Sequence, residues 1–436
     1  MIQKTWKDRR LSKYSDFTAV SNLTVPATMQ ALIAKGKGFE NLEVAQIPVP
    51  KINANQLLAR VDAAGVCTSI LKLVAQGSDH TFIRGWDMQK NPVILGDEGA
   101  ITLVKIGNNL KNKYKIGQRF AIQPAVDTDP INHRERYSDV ENMHKCAVGY
   151  TLGGHLAQYI VVQEEVLKAD CMLPLPDNDM AYFAASMAEP ISCIISAQDR
   201  NYHIHKDGPH APRVPKLGLL SGGVAVVIGA GAMGRIHAEL ALRFSPRVLI
   251  VSDLQRERLD RTIETIGEKA KARNCRLVCI TPDKLDETVK AESNGRGADD
   301  MILAVGINPV QQHALSLLSA GGVANLFGGL PKGKHILEVD ALKVHYQEIK
   351  LVGSSGGEPS DMSATLQAIV NEDINPGNYV AAVGSLDNAI DVLKLIEATK
   401  IDGKAMLYPH IKHTPLQLID HWDKNKEMEF LNDRLA

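Results

Sequence analysis

A chain of 436 residues, 44% hydrophobic and 23% charged, has the length for two globular domains and needs no disulfide to build its cores. Its 49 basic and 50 acidic residues leave a formal charge of −1, which argues against nucleic-acid or membrane-surface partners. The first residues carry no apolar leader segment, no apolar run is long enough to cross a bilayer, and the six cysteines show no paired spacing, so a cytoplasmic protein with reduced thiols is expected.

In chain order, residues 1–27 read as a polar tail, with Lys4, Lys7, Arg9, Arg10 and Lys13 as a solvated basic cluster rather than a binding arm. Short alternating apolar runs follow at 30–33, 42–47 and 56–63, cut by Pro48, Pro50 and Gly65, and again at 100–106, 119–123 and 157–162. They suit small β-strands. Residues 182–197 read as a helix and the Pro- and His-rich stretch 201–215 as a connector. Next come strand 224–228, a helix to about 244, strand 248–252, a helix from about 257, and apolar runs at 301–305 and 322–326. Such alternation implies a parallel sheet covered on both faces. Beyond about 349 the pattern is mixed, closing in a charged, helix-like tail from Thr414. The expected organisation is a β-rich metal and substrate domain from 28–200 and 345–436, with a doubly wound dinucleotide domain at 201–344.

The sharpest local signal is Gly229-Ala230-Gly231-Ala232-Met233-Gly234, placed after a strand and opening a helix. The first glycine permits a tight turn, the second lets backbone approach a pyrophosphate, and the third lets the helix pack closely on the strand. Free N–H groups and the dipole of that helix suit phosphate. Asp253 ends the next strand, where a carboxylate accepts both adenosine ribose hydroxyls and repels a 2′-phosphate, so NAD is expected ahead of NADP. Arg256 and Arg258 keep NADP open, because a guanidinium can offset Asp253. A structural turn with a surface aspartate is the bland alternative.

Three more fragments, Ala64-Gly65-Val66-Cys67-Thr68-Ser69, Leu95-Gly96-Asp97-Glu98-Gly99 and Met187-Ala188-Glu189-Pro190, join this glycine motif in order. Together with Gly117-Gln118-Arg119 and Gly153-Gly154, they make the chain resemble the zinc-dependent medium-chain dehydrogenase/reductase family over roughly 28–410. The resemblance implies a GroES-like catalytic domain beside a Rossmann coenzyme domain, and a homodimer or homotetramer. It implies Cys67, Glu189 and the residue at 97 as ligands of one zinc per chain, with Glu98 supporting or binding the ion. Where the family has histidine this chain has Asp97, which adds negative charge and loosens the preference for zinc over harder divalent metals. A site that has lost its metal, with Cys67 an ordinary buried residue, is the alternative. Such an ion polarises a carbonyl or lowers the pKa of an alcohol while hydride moves to or from the nicotinamide.

Ser69 matches the family hydroxyl that carries the alcohol proton away, and Lys72 falls where relatives place a relay histidine, although it reads equally as a surface lysine. A closer likeness is to the L-sorbose-1-phosphate reductase branch, carried by 76–80, 121–125, 188–193, 344–346 and 353–357. This implies a small polyol or ketose substrate, with or without phosphate. For a phosphate, His80, Arg84 and Lys90 are the cationic candidates, each also readable as a solvated loop residue. Two other functions stay open: an NAD-binding sensor or scaffold with a decayed metal site, and a metal-free enone or quinone reductase of the same fold.

Overall fold

The computed structural model describes residues 11–20, 24–137 and 142–435. Most of the basic cluster at 4–13 lies outside the described residues. The chain divides into two compact units: one runs to Glu189 and takes up Glu358–Val370 and everything from Asn375, and the other is Pro190–Gly357 with Asn371–Ile374.

The first unit is built on an eight-stranded sheet. Its strands run in the order Met172–Pro174, Arg119–Ile122, Glu98–Ile106, Leu57–Gly65, Lys404–Tyr408, Val380–Ser385 and Gln417–Leu418, and Tyr159–Val162 also pairs with Leu57–Gly65. Leu57–Gly65 is buried at all of its positions, including Arg60 and Asp62, whose side chains pair with each other at 2.7 Å. Register places Gly65 opposite Glu98 on one side and opposite Met406 on the other. The end of one strand and the beginnings of two others therefore lie side by side, although Glu98 and Lys404 are 306 positions apart.

The second unit is a six-stranded, all-parallel sheet in the order Arg276–Ile280, Val248–Ser252, Val224–Ile228, Ala298–Leu303, Leu318–Leu326, Lys350–Gly353. Alternate residues of the central strand feed separate cores. Val224, Val226 and Ile228 join one cluster, while Ala225 and Val227 join another on the opposite face. The order reverses after Val224–Ile228, a topological switch point where α/β sheets bind ligands at their carboxyl ends.

Several expectations change. The second unit extends past 344 because Lys350–Gly353 still pairs with Leu318–Leu326, and it begins at Pro190, within helix Tyr182–Asp199. The stretch 201–215 is not an unstructured connector: Tyr202–His205 and Val214–Leu217 pair as a hairpin. Within the expected polar tail, Ser12–Ala19 is a helix, and Lys13 Nζ donates to Leu435 O at 2.9 Å. The helix expected from Thr414 starts only at Lys424, capped by the Asp423 side chain.

Candidate functional site

Strand register gathers the chemistry of the first unit. Cys67 lies two residues past the strand ending at Gly65, Asp97 and Glu98 enter its neighbour, and Lys404 opens the strand on the other side. Donor atoms of Cys67, Asp97 and Glu98 lie within 4.8 Å of one another, and no other such trio gathers among the described residues. Asp97 is 7% exposed and Glu98 wholly buried, yet Asp97 Oδ1 and Glu98 Oε2 have no hydrogen-bond partner. Buried carboxylate oxygens without a donor are costly. A thiolate and two carboxylates with unspent lone pairs are a donor set for a divalent cation, so these residues fit the metal that the sequence implies.

Electrostatics points the same way. Burial, and after it the charge of Asp97, push the Cys67 thiol well above its ordinary pKa, and burial raises Asp97 and Glu98 too. Lys404 is the cation among them, and its ammonium donates to Glu98 Oε1. Burial works against its charge, but Glu98 and Cys67 outweigh that and leave it raised. A second positive group here relieves both the thiolate and the carboxylates.

Glu189 stands outside the tight trio, although its charge raises the pKa values of Cys67, Lys404 and Tyr150. Its helix, Tyr182–Asp199, is fastened to the Cys67 strand by Gly65 N–H donating to Ser186 Oγ at 3.0 Å. Ser186 and Glu189, three apart, share a helix face. Ser69 Oγ donates to Asp97 Oδ2 at 2.8 Å and accepts from the Tyr150 hydroxyl at 2.8 Å.

The candidates between the first two fragments separate. His80 is buried and stacks on Tyr150, with ring centroids 5.0 Å apart, and burial followed by the Lys72 charge lowers its pKa. Lys72 itself is exposed on helix Ile70–Gln76. Arg84 Nη2 reaches Asn142 O at 3.4 Å, and exposed Lys90 pairs with Asp87 at 3.3 Å. Sequence reasoning missed Lys404, Tyr150 and Ser186. Local sequence gives no signal for any of them, because their partners lie far away in the chain.

In the second unit, the turn between Val224–Ile228 and helix Ala232–Ala241 has the conformation its glycines permit. Gly229 adopts φ +100°, and a Cβ at Gly234 would stand 1.7 Å from Gly229 O. Gly231 faces open space, and no side chain caps the following helix, so the turn fits a pyrophosphate. Met233 lies in the first turn of that helix. Asp253 accepts from Ala230 N–H at 2.7 Å and Gln255 N–H at 2.8 Å, and Arg258 Nη1 lies 3.7 Å from its carboxylate. Arg256 is taken up by Asp260 at 2.9 Å. Gly234→Ala is expected to weaken NADH binding at least about 100-fold, since the helix must back away from the strand; fluorescence titration checks it.

A parallel nucleotide sheet, together with a β-rich unit that sets a half-buried thiol against two buried carboxylates, is the build of a metal-assisted dehydrogenase. Comparison with known families matches residues 53–176 to the alcohol dehydrogenase GroES-like domain and 249–371 to the zinc-binding dehydrogenase family. Mannitol-1-phosphate 5-dehydrogenase of Aliivibrio fischeri is 30% identical over 400 residues, covering 90% of this chain and 89% of that protein. L-Sorbose 1-phosphate reductase of Klebsiella pneumoniae is 26% identical, covering 85% and 86%. Among solved structures, 2R,3R-butanediol dehydrogenase from Bacillus subtilis shares the fold with a TM-score of 0.68 at 19% identity, covering 87% of this chain and 99% of that one. The chain belongs to the zinc-type medium-chain polyol dehydrogenase family and is an oxidoreductase. No helix among the described residues is long and apolar enough to cross a membrane.

Proposed function

We propose that this oxidoreductase interconverts a polyol and its ketose, in phosphorylated form, using NAD(H) and one zinc ion per chain, and that it works as a homodimer or homotetramer. The observation that carries the metal assignment is the pair of unpartnered buried oxygens, Asp97 Oδ1 and Glu98 Oε2, beside the Cys67 thiol. Cys67, Asp97 and Glu98 would hold the ion, with Glu189 the further acidic donor nearby. Support for a phosphorylated substrate comes from the names of the relatives, mannitol-1-phosphate 5-dehydrogenase and L-sorbose 1-phosphate reductase. Preference for NAD rests on Asp253, whose carboxylate opposes a 2′-phosphate; Arg258 is turned to that carboxylate.

When bound, the cation stabilises negative charge developing on the substrate oxygen, and the nicotinamide gives or takes the hydride. The chain's own part is to hold and move a proton. Ser69 Oγ, between the Tyr150 phenol and the Asp97 carboxylate, can take a proton from the substrate hydroxyl while passing its own to Asp97 Oδ2. Tyr150 supplies the donor that fixes the rotamer of Ser69. Tyr150→Phe is expected to lower kcat about tenfold with metal content unchanged, measured by steady-state kinetics and metal analysis.

The test is a screen of purified protein of known metal content against polyols, polyol phosphates and their ketoses with each dinucleotide. Turnover of a polyol phosphate with NAD that is lost on chelation and restored by zinc supports the proposal. Undiminished activity in metal-free protein overturns it.

A further inference from the structure

The C-terminal helix Lys424–Arg434 buries a carboxylate completely: Glu427 has no exposure. Its Oε2 accepts from Tyr182 N–H at 2.8 Å, and its Oε1 from Phe183 N–H at 2.7 Å and the Tyr408 hydroxyl at 2.8 Å. Trp422 Nε1 in turn donates to that hydroxyl at 2.8 Å. Burial lifts Glu427 to about 7 against the pull of Phe183 N–H, Tyr408 and Tyr182 N–H, with Arg119 also opposing the rise.

Each contact leads toward the metal cluster. Tyr182 and Phe183 open the helix that carries Glu189, where first-turn N–H groups lack intrahelical acceptors and the dipole favours an anion. Tyr408 ends the strand whose first residue is Lys404, the partner of Glu98. The helix has a second fastening one turn on, the Ser186–Gly65 bond. Glu189 lies in the turn after Ser186, between these two fastenings and the far end of the helix, where Asn325 Nδ2 donates to Ala197 O at 2.6 Å; the Glu427 contacts fix the near end of the span that carries it.

We infer that Glu427 is a positioning residue for the metal centre: bonded to the first turn of helix Tyr182–Asp199 and to Tyr408, it sets where Glu189 and Lys404 stand and so how tightly the cation is held. This rests on the metal assignment proposed above. It gives the C-terminal segment a role in catalysis beyond closing the fold.

Glu427→Gln tests it, since the amide keeps the volume but turns an NH2 group against donors that need an acceptor. Full-length metal-free protein is titrated with Zn2+ against a competing chelator, NADH binding is followed by fluorescence, and thermal unfolding is recorded. Zinc affinity is expected to fall about tenfold, the low end of the effect of losing a group that hydrogen-bonds a metal ligand, because Glu427 acts through the helix and strand that carry Glu189 and Lys404. NADH affinity should stay within about twofold, because none of the Glu427 contacts is made to the glycine turn or to Asp253. Tyr408→Phe, which removes one of the three contacts, should weaken zinc in the same direction by less, and it serves if Glu427→Gln fails to fold. Parent-like zinc affinity in the folded variant overturns the inference, as does an equal loss of zinc and NADH binding, the mark of general destabilisation. Cys67→Ala separates the two levels. If it loses zinc while Glu427→Gln keeps it, positioning alone is wrong; if it too binds zinc like the parent, the metal assignment falls with it.

Discussion

Replacing Cys67 with alanine is expected to strip the bound metal and lower kcat/KM by at least about 1,000-fold, because the electrostatic stabilisation of the developing oxyanion goes with the ion. Cys67 supplies the soft donor of the trio, and what remains, Asp97 and Glu98, is a pair of buried carboxylates beside one ammonium. Oxygen donors alone hold harder cations at lower affinity, so added zinc should not restore the variant while the parent recovers fully. NADH binding should be unchanged, since the glycine turn belongs to the other unit. Metal analysis, steady-state kinetics and fluorescence titration on one preparation read all three, and near-parent activity in metal-free Cys67→Ala would remove the metal from the chemistry.

The second large effect is expected on stability. Lys404→Met leaves Glu98 in the core without its cation, and breaking a buried pair by deleting one partner costs about 3–5 kcal/mol. The loss should depend on pH. Burial already raises the Glu98 pKa above its unfolded value, and removing Lys404 raises it further, because the ammonium lowers it. A group with a raised folded pKa contributes stability below its unfolded pKa and loses it as the pH rises through the folded one. The deficit of Lys404→Met relative to the parent should therefore be small at mildly acidic pH and grow toward neutral and alkaline pH. Urea unfolding of both metal-free proteins across that range measures it. A deficit independent of pH would mean that Lys404 acts through packing and not through charge.

What sequence alone could read follows from how local each signal is. Val224–Ile228 and Val248–Ser252 were legible because both faces of each strand are buried, and the glycine turn because its chemistry sits within six consecutive residues. Cys67, Asp97 and Glu98 were legible as motif positions. Lys404 was not, since only strand register brings it to Glu98. The hairpin of Tyr202–His205 and Val214–Leu217 escaped because its second strand is exposed throughout and contains Pro215, leaving no apolar alternation to read. Helix Ser12–Ala19 buries no residue of its own and is held from outside, by Phe17 against the Arg60 guanidinium 3.4 Å away and by Thr18 at the Tyr182 hydroxyl, 3.1 Å away. Such an element has no periodic stripe to announce it. Glu427 reads as one more charge on a polar helix until the fold turns it inward.

Anomalous diffraction at the zinc absorption edge, from crystals of full-length protein grown with stoichiometric zinc, interrogates the cluster itself. One peak per chain is expected within coordination distance of Cys67 Sγ and of carboxylate oxygens from Asp97 and Glu98, about 2.0–2.3 Å away. A chain with no peak there, or with zinc bound only at surface histidines, would contradict it.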